Sequence, residues 1–392
     1  MKIFVNAKLI LPDKICENGF LLEDQGKIID LGPMEKIPQI GNWQSISCEG
    51  LYLSPGFIDI HCHGGGGHDF MDGTPQTIQK AASFHLSCGT TTILPTTITA
   101  SDADLFCTIE NFLRARKIKE NMPCMPGLHL EGPYINKEQA GALNPNYIRS
   151  PVPEHYNRII EAAEGSILLW SAAPELKGAL EMARTLTPQG VVFSIAHSNA
   201  VYDEILAAVD SGFTHITHLY SGMSTITRRQ GFRHLGVIES AYLLDNLSVE
   251  IIADGLHLPP ELLKLIVKCK DNKKICLVTD SMRGAGMCDG HSILGSLNEG
   301  LPVIIEDGIA KMPDRGAFAG SVATSDRLVC VMVQKAGLSI CQAVSMITQN
   351  PARIMGFSDK GVLAAGKDAD IVLFDEDIKI RRVFVNGAEA VI

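Results

Sequence analysis

No uninterrupted apolar run in this sequence is long enough to cross a bilayer, which excludes the helical transmembrane classes. Lysine and arginine never gather into a basic stripe, and a net charge of -10 argues against nonspecific nucleic-acid binding. Anionic small molecules stay open as ligands, because a few local arginines override a diffuse negative field. The eleven cysteines contain no C-x-x-C pair. An odd count without that spacing fits reduced thiols and a cytoplasmic setting better than a disulfide framework. The first ten residues lack the apolar core and cleavage site of a secretory signal. Low-complexity tracts and short-period repeats are missing too. What remains, 46% hydrophobic and 20% charged residues over 392 positions, is the composition of a globular protein with a sizeable core.

Residues 1–50 read as short strands and turns, at 3–11, 19–23, 27–31 and 45–48. From Leu51 the pattern changes to apolar strands alternating with amphipathic helices, the sequence form of a parallel sheet with crossover helices. Eight candidate strands follow, at 56–61, 91–95, 127–130, 167–172, 191–196, 215–219, 248–253 and 275–279. Eight such units predict a closed (β/α) barrel. Residues 290–312 read as a hairpin-like insertion beside the barrel mouth, and helical segments follow near 321–336 and 340–348. The tail from Gly361 is β-rich again, so strands from both ends can pair into one small β domain.

In such a barrel, function sits at the C-terminal ends of the strands. Strand one runs Pro55-Gly-Phe-Ile-Asp-Ile-His61-Cys-His63 into four glycines. Strand alternation puts both imidazoles on one face, where neutral ring nitrogens can hold a divalent cation, and turns Cys62 the other way into packing. Strand three ends in Glu131, strand five in His197, strand six in His218 and strand eight in Asp280, while strand seven runs into Asp254-Gly-Leu-His257. A lone histidine after a strand is ordinarily a hydrogen-bonded core residue, and a lone aspartate a helix cap. Recurrence at equivalent positions is what that ordinary reading leaves unexplained. The donor set suits zinc, iron, manganese or cobalt alike. Such an ion acidifies water and polarises a carbonyl, and Asp280 is the candidate proton shuttle to a leaving amine. His85, His129 and His215 read as structural, and Asp59 as support for the His-x-His turn.

These motifs, with Gly-Leu-His-Leu-Glu131-Gly-Pro-Tyr, Ala-His197-Ser-Asn-Ala, Thr-His218-Leu-Tyr, Ala-Gly320-Ser, Gly-Lys367-Asp-Ala-Asp-Ile-Val and Val-Asn386-Gly, resemble the amidohydrolase superfamily over nearly the whole length. Within it the chain is similar to the N-acetylglucosamine-6-phosphate deacetylase family. The resemblance implies an α/β fold: a (β/α)8 TIM-like barrel over residues 53–356, with a small β-sandwich domain formed by 1–52 and 357–392. It implies that Glu131, His197 and His218 hold the main metal and that His61 and His63 complete a second position, one or two ions per subunit. Asp280 is then the acid/base. His257 would contact the acyl group or the developing oxyanion, and Ala142, Leu143, Ser221, Gly222, Phe318, Ala319 and Gly320 would line the sugar pocket. Arg229 would bind the sugar phosphate from a neighbouring subunit, so a homodimer is implied.

Three departures fall on sugar-phosphate contacts. Ser221-Gly222-Met223 stands where that family has Asn-Ala-Met, Leu143 where it has His, and Arg229-Gln-Gly-Phe-Arg233-His234 where it has Arg-Glu-Pro-Gly. Arg228, Arg233 and His234 are candidate compensators, and Arg283 and Arg315 further candidates beside strand eight. The alternatives are N-acetylgalactosamine 6-phosphate as substrate, or another amidohydrolase acting on N-acyl or cyclic amides. Many of the latter carry a carboxylated lysine at the end of strand four, which here ends in Ala172-Ala-Pro174-Glu. A barrel kept only as a scaffold would have lost ligands, and this chain has every position.

Overall fold

The computed structural model describes residues 1–39, 41, 43–118 and 121–391. Its centre is an eight-stranded sheet in which the strands pair in chain order, all parallel. The strands are Phe57–Cys62, Thr90–Thr97, Leu128–Glu131, Ile167–Ala172, Val192–Ile195, Phe213–Ile216, Ser248–Ile251 and Ile275–Leu277, called one to eight below. The first and last meet through a parallel bridge of Cys62 with Ser281, and the Asp280 N–H donates to the His61 carbonyl at 2.9 Å. The ring is thereby drawn nearly shut.

Each strand falls on its expected segment, but several stop early. Strand six ends at Ile216, because His218 two residues later has φ 25°, outside extended geometry. Strand eight likewise ends before Asp280, at φ 47°.

Helices between the strands form for local reasons. Helix Pro75–Ser87 starts with proline at its first position and the Thr74 hydroxyl accepting from the Thr77 N–H. Helix Asp102–Ala115 is capped by Ser101, carries Asp102 and Asp104 in its first turn, and buries Leu105, Ile109 and Phe112 at helical spacing. Among the described residues no helix is long and apolar enough to cross a membrane.

Inside the barrel the core is partly polar. His129 Nε2 lies 2.7 Å from Ser171 Oγ, Ser171 Oγ 2.7 Å from Thr217 Oγ1, and Ser194 Oγ 2.6 Å from the same Thr217 oxygen. All four residues are buried, so each polar atom needs the partner it has. The chain of hydrogen bonds makes a stiff floor for the donors at the mouth.

Strands from both ends of the chain pair into one eight-stranded sheet. Phe4, Leu21, Leu53, Ile371 and Phe384 pack together within it. Tyr52–Pro55, just past the expected domain limit, belongs to this sheet, pairing with Lys2–Ile10 and Ile371–Phe374. Its partners are remote in sequence, which is why four residues without alternation gave no sign of it. The 290–312 insertion is a three-stranded antiparallel sheet, Gly290–Leu294, Leu301–Glu306 and Ile309–Lys311, rather than a hairpin.

Candidate active site

Two groups of donors converge at the strand ends: Glu131, His197 and His218, and His61, His63 and Asp280. In the first, His197 Nδ1–H donates to the Gln139 carbonyl at 2.7 Å, which leaves Nε2 with a lone pair 3.1 Å from Glu131 Oε1. His218 Nε2 is 2.8 Å from the same oxygen. In the second, His61 Nδ1–H donates to Glu250 Oε2 at 2.9 Å and His63 Nδ1–H to the Thr96 carbonyl at 3.2 Å. Their Nε2 atoms then face each other at 3.3 Å, and His63 Nε2 is 3.1 Å from Asp280 Oδ1. Glu131 stands between the groups, with Oε2 3.4 Å from His63.

Lone pairs pointed at lone pairs and carboxylates call for a cation. Two ligands on one tetrahedral ion, each about 2.1 Å away, sit about 3.4 Å apart. The observed separations match that spacing, so the residues fit a divalent metal. The electrostatics agree. Burial alone would lower the imidazole pKa of His61, His63 and His197, yet the surrounding carboxylates raise all three. Burial would likewise raise Glu131 and Asp280, and the facing imidazoles hold both below the usual carboxylate range.

The backbone is strained where the donors leave the strands. His197, His218 and Asp280 have φ of 45°, 25° and 47°, left-handed conformations that each cost a non-glycine residue about 1–3 kcal/mol. The turns swing these side chains over the mouth. Glycines make room for them: a Cβ on Gly222, itself at φ 57°, would sit 2.7 Å from His197 Nδ1, and one on Gly320 would sit 3.0 Å from the Asp280 carbonyl oxygen.

A cavity of about 200 Å³ opens over both groups. His63, Glu131, His197, His218, His257 and Asp280 line its floor and side, and Ile98, Gly141, Ala142, Leu143, Ser221, Gly222, Leu294, Ala317, Phe318 and Gly320 line the rest. Ala319 is packed behind this wall with Ala142 and Leu143. Asp254 Oδ2 accepts from His257 Nδ1 at 2.9 Å, and the His257 ring meets Phe318 edge-on at 4.9 Å.

Arg229 is not part of the lining. It lies with Arg228 on the exposed strand Thr227–Arg229, paired with Phe232–His234, and among the described residues neither it, Arg228 nor Arg233 has an ion-pair partner. Arg283 is also elsewhere, paired with Asp72 at 2.7 Å and bonded to the Ile293 carbonyl, and Arg315 pairs with Glu306 on the surface. Among the described residues no lysine or arginine lines the cavity.

Asp59 supports strand one as expected, accepting from Thr279 Oγ1 at 2.6 Å and from the His61 N–H at 3.3 Å. His85, His129 and His215 are buried and hydrogen-bonded away from the cavity lining. Glu250 escaped the sequence reading. It is fully buried between His61 and His215, and these imidazoles keep its carboxyl well below the ordinary value despite the burial. A single charge inside the apolar run Ser248-Val-Glu250-Ile-Ile-Ala was the available signal.

The Amidohydrolase family model matches residues 52–390. The chain belongs to that family. Among curated amidohydrolase relatives, the N-acetylglucosamine-6-phosphate deacetylase of Bacillus subtilis (strain 168) is 30% identical over 383 residues, covering 97% of this chain and 94% of its own. The N-acetylgalactosamine-6-phosphate deacetylase of Escherichia coli O157:H7 is also 30% identical, over 378 residues, covering 95% and 96%. A mutant of the Mycobacterium smegmatis N-acetyl-D-glucosamine-6-phosphate deacetylase, in complex with N-acetyl-D-glucosamine-6-phosphate, superposes with a TM-score of 0.90 at 29% identity. That match covers 100% of this chain and 99% of the other.

Proposed function

We propose that this amidohydrolase removes the N-acetyl group of N-acetylglucosamine 6-phosphate, yielding glucosamine 6-phosphate and acetate. The observation that carries the reading is the convergence of two His/carboxylate donor groups on one cavity, in a chain similar over nearly its whole length to deacetylases of such sugars. Glu131, His197 and His218 would hold one divalent ion, and His61, His63 and Asp280 a second, with zinc the first candidate. When bound, such an ion acidifies water and polarises the acyl carbonyl.

The chain's own residues do the rest. Asp280 takes the proton of the attacking water and returns it to the amine nitrogen as the C–N bond breaks. His257, held through Nδ1 by Asp254, stands at the cavity wall and would contact the acyl group or the developing oxyanion there. Phe318 and Leu143, in the cavity wall, would line the sugar side of the pocket. Phosphate recognition falls to Arg229 of a second copy in a homodimer, a role supported by its exposure and, among the described residues, by its lack of an ion-pair partner and the missing cation in the lining. The setting is the cytoplasm, in keeping with eleven cysteines that form no disulfide among the described residues.

A second reading takes N-acetylgalactosamine 6-phosphate as the substrate. It is favoured by equal identity to the Escherichia coli relative and by Ser221, Gly222 and Leu143 in the sugar-facing wall. Acetate release from both phosphorylated sugars, their unphosphorylated forms and N-acyl amino acids decides between them. The glucosamine form should give the highest kcat/KM. Turnover of an N-acyl amino acid with none of either phosphorylated sugar would sink both readings.

A further inference from the structure

Glu250 stands outside the cavity, yet one of its oxygens touches both donor groups. Oε2 is 2.9 Å from His61 Nδ1 and 3.3 Å from the backbone N–H of His218. Oε1 is 3.2 Å from His215 Nε2, whose other ring nitrogen lies 2.7 Å from Ser248 Oγ. A carboxylate oxygen only accepts, so it fixes the proton of His61 on Nδ1 and turns the Nε2 lone pair toward His63 and Asp280. With the proton on Nε2 instead, that nitrogen would be closed to a cation. No other acceptor for His61 Nδ1 appears among the described residues.

We propose that Glu250 is the positioning residue that makes the His61/His63/Asp280 group competent to hold an ion, by setting the His61 tautomer through reach rather than charge. This rests on the reading of the two donor groups as metal positions. Its hold on the His218 N–H ties the strained turn of strand six to the same carboxylate, so the two groups share one buried support.

Two variants separate reach from charge. Glu250→Gln keeps the length and an oxygen for His61 Nδ1, while its amide N–H can face His215, which then donates to Ser248. Glu250→Asp keeps the charge but withdraws it by one methylene. Zinc would be titrated into chelator-stripped wild type, both variants and His61→Ala against a chromophoric chelator, with thermal melting and near-ultraviolet circular dichroism reporting the fold.

Wild type should bind two ions and His61→Ala one. Glu250→Asp should weaken the second ion by about 10–100-fold, weaken the first by less through the loosened His218 N–H, and be the more affected of the two variants. Glu250→Gln should stay close to wild type. The proposal is overturned if the Asp variant holds the second ion as tightly as wild type, if the Gln variant loses more than the Asp variant, or if wild type binds a single ion. Wild type that bound no zinc would overturn the metal reading itself, a distinct result.

Discussion

The two ends of the cavity are built on opposite principles. Its floor gathers His63, Glu131, His197, His218 and Asp280, with His61 beside them, and His61, His63 and His197 are each oriented by a buried partner. Its outer wall is Ile98, Leu143, Leu294, Ala317 and Phe318, with no lysine or arginine among the described lining residues. Both donor groups therefore come from one polypeptide, while no cation among the described lining residues stands ready for the phosphate of the proposed substrate. Chemistry and recognition are separable in this molecule, and mutations should separate them.

The largest effect should come from the floor. Asp280→Asn keeps the shape but removes the proton acceptor, and kcat for acetate release should fall by about 10²–10⁴-fold with KM little changed. A folded, metal-loaded variant working at near wild-type rate would remove Asp280 from that role. Arg229→Ala should act at the other end. A charged hydrogen bond to phosphate is worth about 1.5–3 kcal/mol, so KM for the phosphorylated sugar should rise roughly ten- to a hundredfold while kcat holds. Equal losses on phosphorylated and unphosphorylated sugars would show that Arg229 does not read the phosphate.

The smallest effect lies in the support behind the outer wall. Asp69 accepts from the Met71 N–H at 2.9 Å and from the Gly295 N–H at 3.2 Å, next to Leu294. Burial raises its carboxyl from 3.8 to about 6, against the pull of Arg283. Between those values the folded chain binds more protons than the unfolded one. Its contribution to stability therefore falls as pH rises from about 4 to about 6, then levels off. Asp69→Asn removes that loss, so chemical denaturation should show the variant gaining about 1–3 kcal/mol on wild type between pH 4 and pH 7. A difference independent of pH would mean that Asp69 carries no such cost.

Much of the floor was legible in the sequence because strand alternation and the ends of eight apolar runs are local patterns. His61, His63, Glu131, His197, His218 and Asp280 all stand where those patterns point, and all converge. Glu250 was not legible, since its partners His61 and His218 come from other strands and a lone glutamate in a strand carries no sign of its neighbours. Gln139 was missed for the same reason: only its backbone carbonyl acts, and a carbonyl has no residue signature. Residues 53–55 of the strand Tyr52–Pro55 fell on the barrel side of the expected limit because only pairing with remote residues reveals their sheet.

By itself the sequence determined the barrel, the donor types and their places at the strand ends, because period-two alternation and turn chemistry act over a few residues. Tertiary structure alone decided which lone pairs face one another, which acceptor sets each tautomer, and where the arginines stand. Those outcomes depend on distances of a few ångströms between segments up to 220 residues apart, and only a closed ring of strands brings them within reach.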